Sequence, residues 1–82
     1  MADDLEEGKT AFIALVKELD PAVQLVIPTR STNDRFLISL TKGKNREFIS
    51  VAEDDLIELP HEAAVRREVN AIVAAGLAKL GG

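Results

Sequence analysis

Apolar positions follow a helical spacing at both ends of the chain and a strand spacing in the middle. From about Asp3 to Leu19, the residues Leu5, Phe12, Leu15, Val16 and Leu19 fall near one face of a roughly 3.6-residue repeat, which predicts an amphipathic helix. Asp3 and Asp4 suit its positive N-terminal end. Asp20-Pro21 stops it, because a residue that precedes proline is pushed out of the α region. Val23 to Ile27 then reads as a strand, and Pro28 to Asn33 as a polar connection.

The strongest local signal follows. Arg35 to Thr41 and Arg46 to Val51 are β-rich runs on either side of Lys42-Gly43-Lys44-Asn45. A two-residue turn at Gly43-Lys44 places glycine at the first central position, as a type II′ hairpin requires. That register sets Leu40 opposite Glu47, Ile38 opposite Ile49 and Phe36 opposite Val51, so turn chemistry and side-chain alternation agree. Ser50-Val51-Ala52-Glu53 fits a capping box ahead of a short acidic helix from Glu53 to Leu59. Pro60 interrupts that segment, and His61 to Leu80 reads as a second long helix ending at Gly81-Gly82. The expected fold is α+β, in the order α-β-β-β-(short α)-α. It has a three-stranded antiparallel sheet with both long helices packed on one face, as one domain over residues 1–82.

The last helix carries Val65, Val69, Ile72, Gly76 and Leu80 as its core stripe, widened by Val73 and Leu77. Ala71 to Ala78 contains no polar side chain, which favours enclosure within the fold over contact with another chain. Glycine in a helix interior costs about 1 kcal/mol relative to alanine, and close packing is the expected reason for Gly76.

Composition narrows the class. At 82 residues, 46% hydrophobic and 29% charged, the chain is globular and holds one core. It has no cysteine, which removes disulfides, thiolate metal sites and cysteine nucleophiles. The start, Met1-Ala2-Asp3-Asp4-Leu5-Glu6-Glu7, is acidic where a secretory leader is basic, and no apolar run approaches a membrane span. The expected location is cytoplasmic, with no membrane partner.

The net charge of −4 is unevenly spread. Arg30, Arg35, Lys42, Lys44 and Arg46 stand against Asp34 alone in the middle of the chain, and Glu47, Glu53, Asp54, Asp55, Glu58 and Glu62 follow. Overall acidity opposes a dedicated nucleic-acid binder. A weak polyanion contact through Lys42, Lys44 and Arg46, with Arg30 at the far end of the second strand, is the alternative function.

Candidate chemistry is sparse. The one histidine, His61, would have to serve Ser31, Ser39 or Ser50, and no Gly-x-Ser-x-Gly elbow occurs. Asp54, Glu58 and His61 lie at i, i+4 and i+7, a spacing for metal ligands that Pro60 interrupts, and a solvated acidic helix is the simpler reading. Thr29-Arg30-Ser31-Thr32-Asn33 offers an arginine and hydroxyls to an anion, without the glycines that let a backbone wrap one. We expect no enzyme, no cofactor and no metal.

The element order, with the hairpin from Arg35-Phe36-Leu37-Ile38-Ser39-Leu40 through Arg46, resembles in topology a double-stranded-RNA-binding domain. That family meets phosphates with lysines at the start of its last helix. The equivalent region here carries Glu53, Asp54, Asp55, Glu58 and Glu62, so RNA binding does not carry over.

The same alternation that sends Phe36, Ile38, Leu40, Ile49 and Val51 towards the helices turns Val26, Leu37 and Phe48 the other way, beside Arg35, Arg46, Ser39 and Ser50. Three large apolar groups among arginines and hydroxyls match the composition of an interface. The expected function is therefore a non-enzymatic interaction module that binds a protein partner or itself, as a possible homodimer, through this face. The competing expectation is that the short helix folds back and covers it.

Overall fold

Glycine at the first position of a two-residue turn supplies the left-handed backbone on which the sheet is built. In the computed structural model, Gly43 has φ +62° and Lys44 stays at negative φ, the signature of a type II′ turn. The backbone is described for residues 2–81 and the side chains for residues 4–80.

The turn joins β2 (Arg35–Lys42) to β3 (Asn45–Ala52) in the expected register, Lys42 opposite Asn45 through Arg35 opposite Ala52. The short strand β1 (Gln24–Val26) adds antiparallel to β2, giving a three-stranded sheet in the order β1-β2-β3. Three helices complete the chain: α1 (Ala2–Leu19), α2 (Glu53–Glu58) and α3 (Ala63–Gly81). The α+β fold and its element order are those expected. Among the described residues, no helix is long and apolar enough to cross a membrane.

All three helices contribute to one core on one side of the sheet. Phe12, Leu15 and Val16 come from α1, Leu56 from α2, and Val69, Val73 and Leu80 from α3. They meet Phe36, Ile38 and Leu40 of β2 and Ile49 and Val51 of β3, with Val23 ahead of β1 and Leu59 after α2. Of the stripe expected for the last helix, Val69, Gly76 and Leu80 are buried and Val65 and Ile72 only partly so, while Val73, expected to widen it, is fully buried. The alanines of the Ala71–Ala78 run, at 71, 74, 75 and 78, are exposed.

Some details differ from the sequence reading. Leu19 is 42% exposed, because it is the last residue of α1 and lies at a groove between α1 and α3 rather than over the sheet. The capping box does not form. Strand pairing continues through Ala52, so Ala52 is the N-cap of α2 without a side-chain cap, and Ser50 remains in β3. Glu53 instead accepts from Ser31 Oγ at 2.9 Å and donates its N–H to the Asp34 carbonyl at 2.9 Å. The last helix starts at Ala63 rather than His61, since the Glu58 carbonyl takes the N–H of both His61 and Glu62 and holds them in the preceding turn.

The polar loop before β2 contains a second tight turn. Asn33 and Asp34 have φ of 52° and 61°, while Thr32 and Arg35 exchange backbone hydrogen bonds of 2.8 and 3.0 Å. Two consecutive left-handed residues are what a type I′ turn needs, and Asn and Asp tolerate that region better than other residues with a side chain.

Two glycines set how closely helices approach their neighbours. A Cβ on Gly76 would stand 2.8 Å from Ile49 Cγ2 and 3.2 Å from Leu40 Cδ1, so α3 rests directly on β2 and β3. A Cβ on Gly8 would run into the Leu56 carbonyl group, which means that the α1 backbone lies against the α2 backbone. Alanine at either site gains up to about 1 kcal/mol of helix propensity. At Gly76 the obstacle is side chains that can give slightly, whereas at Gly8 it is backbone. We therefore expect Gly8→Ala to destabilise by roughly 2 kcal/mol or more and Gly76→Ala by clearly less, with Gly76→Leu unfolding the chain through overpacking. Urea unfolding of the three variants checks the order, and Gly8→Ala matching the wild type would disprove the backbone contact.

Candidate protein-binding face of the sheet

Because all three helices pack on one side, no element among the described residues covers the other side of the sheet, and α2, which the competing expectation folds across it, buries Leu56 in the core instead. On this open side Val26 is 65% exposed, Leu37 60% and Phe48 51%. The strand register shows how they are grouped. Val26 pairs with Ser39 and Ser39 with Phe48, so one row across the three strands reads Val26, Ser39, Phe48. Leu37 lies two residues along β2 from Ser39 and faces Ser50. With strands about 4.8 Å apart and same-face neighbours about 7 Å apart, the three apolar side chains surround the small Ser39.

Polar residues border the patch on two sides. Gln24, Thr41 and Arg46 form the next row towards the hairpin tip. At the other end Arg35 reaches over β3, with Nε donating to Ser50 Oγ at 2.7 Å and Nη2 donating to the Ser50 carbonyl at 3.2 Å. Arg35 is thus fixed one row away from Phe48, while Arg46 stands on the same strand as Phe48, two residues before it. The side chains singled out from the sequence, Val26, Leu37, Phe48, Arg35 and Arg46, share one face.

The basic residues are less uniform than their spacing suggests. Lys42 Nζ sits 2.7 Å from Asp20 Oδ2 and ties the hairpin to the end of α1. Asn45 Nδ2 donates to the Leu80 carbonyl at 3.2 Å and ties it to the end of α3. Lys44 and Arg46 are exposed and, among the described residues, have no ion-pair partner. Arg35 is at the far end of β2 from Lys42, roughly 20 Å of strand away, and Arg30 precedes the turn at that far end. A continuous basic patch is not formed.

The other candidates are dispersed. His61 Nε2 lies 3.0 Å from Glu7 Oε1, while Ser31 donates to Glu53 and Ser50 accepts from Arg35. Asp54 and Glu58 stay on α2, with His61 beyond its end, and no metal-binding group of three side chains gathers among the described residues. A groove of about 300 Å³ between α1 and α3 is lined by Leu15, Glu18, Leu19, Arg66, Arg67 and Asn70, with Arg66 Nη2 3.6 Å from Glu18 Oε2 across it. The groove was not foreseen, since it depends on how two helices distant in sequence diverge.

In comparison with known proteins, the chain matches no family model, and no curated protein and no solved structure is significantly similar to it.

Asp20 gives the tie between hairpin and α1 a pH dependence. The hydrogen bond from Lys42, then that from the Ala22 N–H, holds its carboxyl below the ordinary 3.8. A lowered folded pKa stabilises the fold above the unfolded value, and the contribution is lost as pH falls through the folded one. Asp20→Asn should therefore be less stable than the wild type at neutral pH, with the gap closing below about pH 4. Chemical unfolding across pH measures it, and a gap independent of pH would exclude the carboxylate as its source.

Proposed function

We propose that the protein is a non-enzymatic interaction module that associates with another polypeptide, a second copy in the simplest case, through the open face of its sheet. The supporting observation is the grouping of Val26, Leu37 and Phe48 on a face that, among the described residues, no helix covers. Single exposed apolar residues are ordinary on protein surfaces, but three around one serine on a rigid sheet make a contiguous patch. A pleated sheet needs little rearrangement on docking, so the ordering cost of association is small. The arginines and hydroxyls around the patch provide hydrogen bonds at its rim.

The commitment of Lys42 to Asp20 weighs against polyanion binding, since it leaves Lys44 and Arg46 as the free cations of the hairpin tip. Five acidic residues lie on and just beyond α2, Glu53, Asp54, Asp55, Glu58 and Glu62, and would repel a phosphate backbone approaching that end.

Phe48→Glu places a charge within the patch without touching the core. We expect it to halve the mass of the associated species in sedimentation while leaving the unfolding free energy within about 1 kcal/mol of the wild type. An unchanged mass, or global unfolding of the variant, would refute the reading.

A further inference from the structure

We infer that β3 is a docking edge for a second copy of this chain, with two β3 strands pairing antiparallel about a two-fold axis into one six-stranded sheet. This contact lies in the plane of the sheet and goes beyond the face contact proposed above.

The two edges of the sheet are built differently. β1 offers three residues and is closely followed by Pro28, so little can pair with it. β3 offers eight residues with no proline or glycine among them. The two-residue turn makes Lys42 and Asn45 a mutually hydrogen-bonded pair, and the antiparallel ladder alternates from there. Glu47, Ile49 and Val51 therefore bond to β2, while Arg46, Phe48 and Ser50 turn their N–H and C=O groups outward. Side chains occupy two of these outward groups: Glu47 Oε1 accepts from the Phe48 N–H, and Arg35 Nη2 donates to the Ser50 carbonyl, both at 3.2 Å and exposed. Such bonds are readily exchanged for those of an added strand.

Charge selects the occupant. Lys44 and Arg46 stand at one end of β3, and Asp54 and Asp55 follow its other end. None of the four has an ion-pair partner among the described residues. With the axis at Ile49, Arg46 comes opposite Ala52 of the second copy, so the Lys44–Arg46 end of each β3 lies beside the end from which the other copy's α2, with Asp54 and Asp55 in its first turn, begins. The opposite charges meet twice by symmetry, whereas a parallel copy would set like against like. Phe48 then lies beside Ser50 of the second copy on the open face, and the two apolar patches become continuous.

Sedimentation of charge variants tests this. Lys44→Glu with Arg46→Glu makes both ends of the edge acidic, and Asp54→Lys with Asp55→Lys makes both basic. Each double variant should dissociate the edge dimer, weakening it about tenfold or more, and an equimolar mixture of the two should restore a heterodimer. Ser50→Pro, which removes an outward N–H and none of the β2 ladder, should also dissociate it, and Glu47→Ala should tighten it by freeing the Phe48 N–H. Circular dichroism verifies that each variant is folded. Variants that keep the wild-type mass, a mixture that stays dissociated, or a wild type that is monomeric at about 100 μM would each overturn the inference. Because Arg46 also borders the face patch, the Asp54→Lys/Asp55→Lys variant separates the two contacts: loss of mass with Phe48→Glu but not with that variant leaves the face contact and removes the edge contact, and the reverse result removes the face contact.

Discussion

The register of the β2–β3 hairpin is the constraint on which the rest of the structure depends. Side chains alternate strictly along a strand, so a slip of one residue would move Phe36, Ile38, Leu40, Ile49 and Val51 from the core into water. Gly43 prevents the slip by making a two-residue turn possible where the chain needs φ +62°. With that register in place, Leu37 and Phe48 have no alternative to the other face. The buried core and the exposed apolar patch are consequences of one pairing.

The helices are fastened to this hairpin at both ends. At the tip, Lys42 holds Asp20 at the end of α1, and Asn45 holds the last turn of α3. At the opposite end the Asn33-Asp34 turn takes the N–H of Glu53, and Ser31 takes its carboxylate, which directs the chain out of β3 and into α2. Gly8 and Gly76 then let α1 meet α2, and α3 meet the sheet, at distances a methyl group would prevent at Gly8 and crowd at Gly76. This explains why α2 lies with the core helices instead of across the open face. Its starting direction is set by hydrogen bonds to a neighbouring turn, and Leu56 supplies the hydrophobic reason to stay.

Features carried by neighbouring residues were legible in the sequence, and features that depend on distant segments were not. The II′ turn, the hairpin register and the Val69, Gly76 and Leu80 positions of the last helix's stripe each follow from local spacing. The close approach at Gly8 does not, because nothing near Gly8 in sequence shows that α2 will lie against it. The same holds for Lys42, which reads as a free basic residue until the fold brings Asp20 within 2.7 Å. Ser50 and Glu53 have the spacing of a capping box, but cross-strand pairing with Leu37 claims Ser50 first. The Asn33-Asp34 turn was available as a signal, since adjacent Asn and Asp favour consecutive left-handed residues.

Sheet stability by itself does not account for the apolar residues of the open face. Large side chains stabilise strands chiefly by packing on cross-strand neighbours, typically by 0.2–1 kcal/mol per pair. Here Val26 and Phe48 both oppose Ser39, and Leu37 opposes Ser50, so no two of the three meet directly across the ladder. Threonine at these positions would keep much of the β propensity, remove most of the exposed apolar area and leave the core untouched. Yet large apolar groups occupy all three sites, arranged around a serine small enough for another surface to approach between them. The proposed contact with another polypeptide would give that arrangement a physical use, because burial outside the chain would supply packing that no direct cross-strand pair provides.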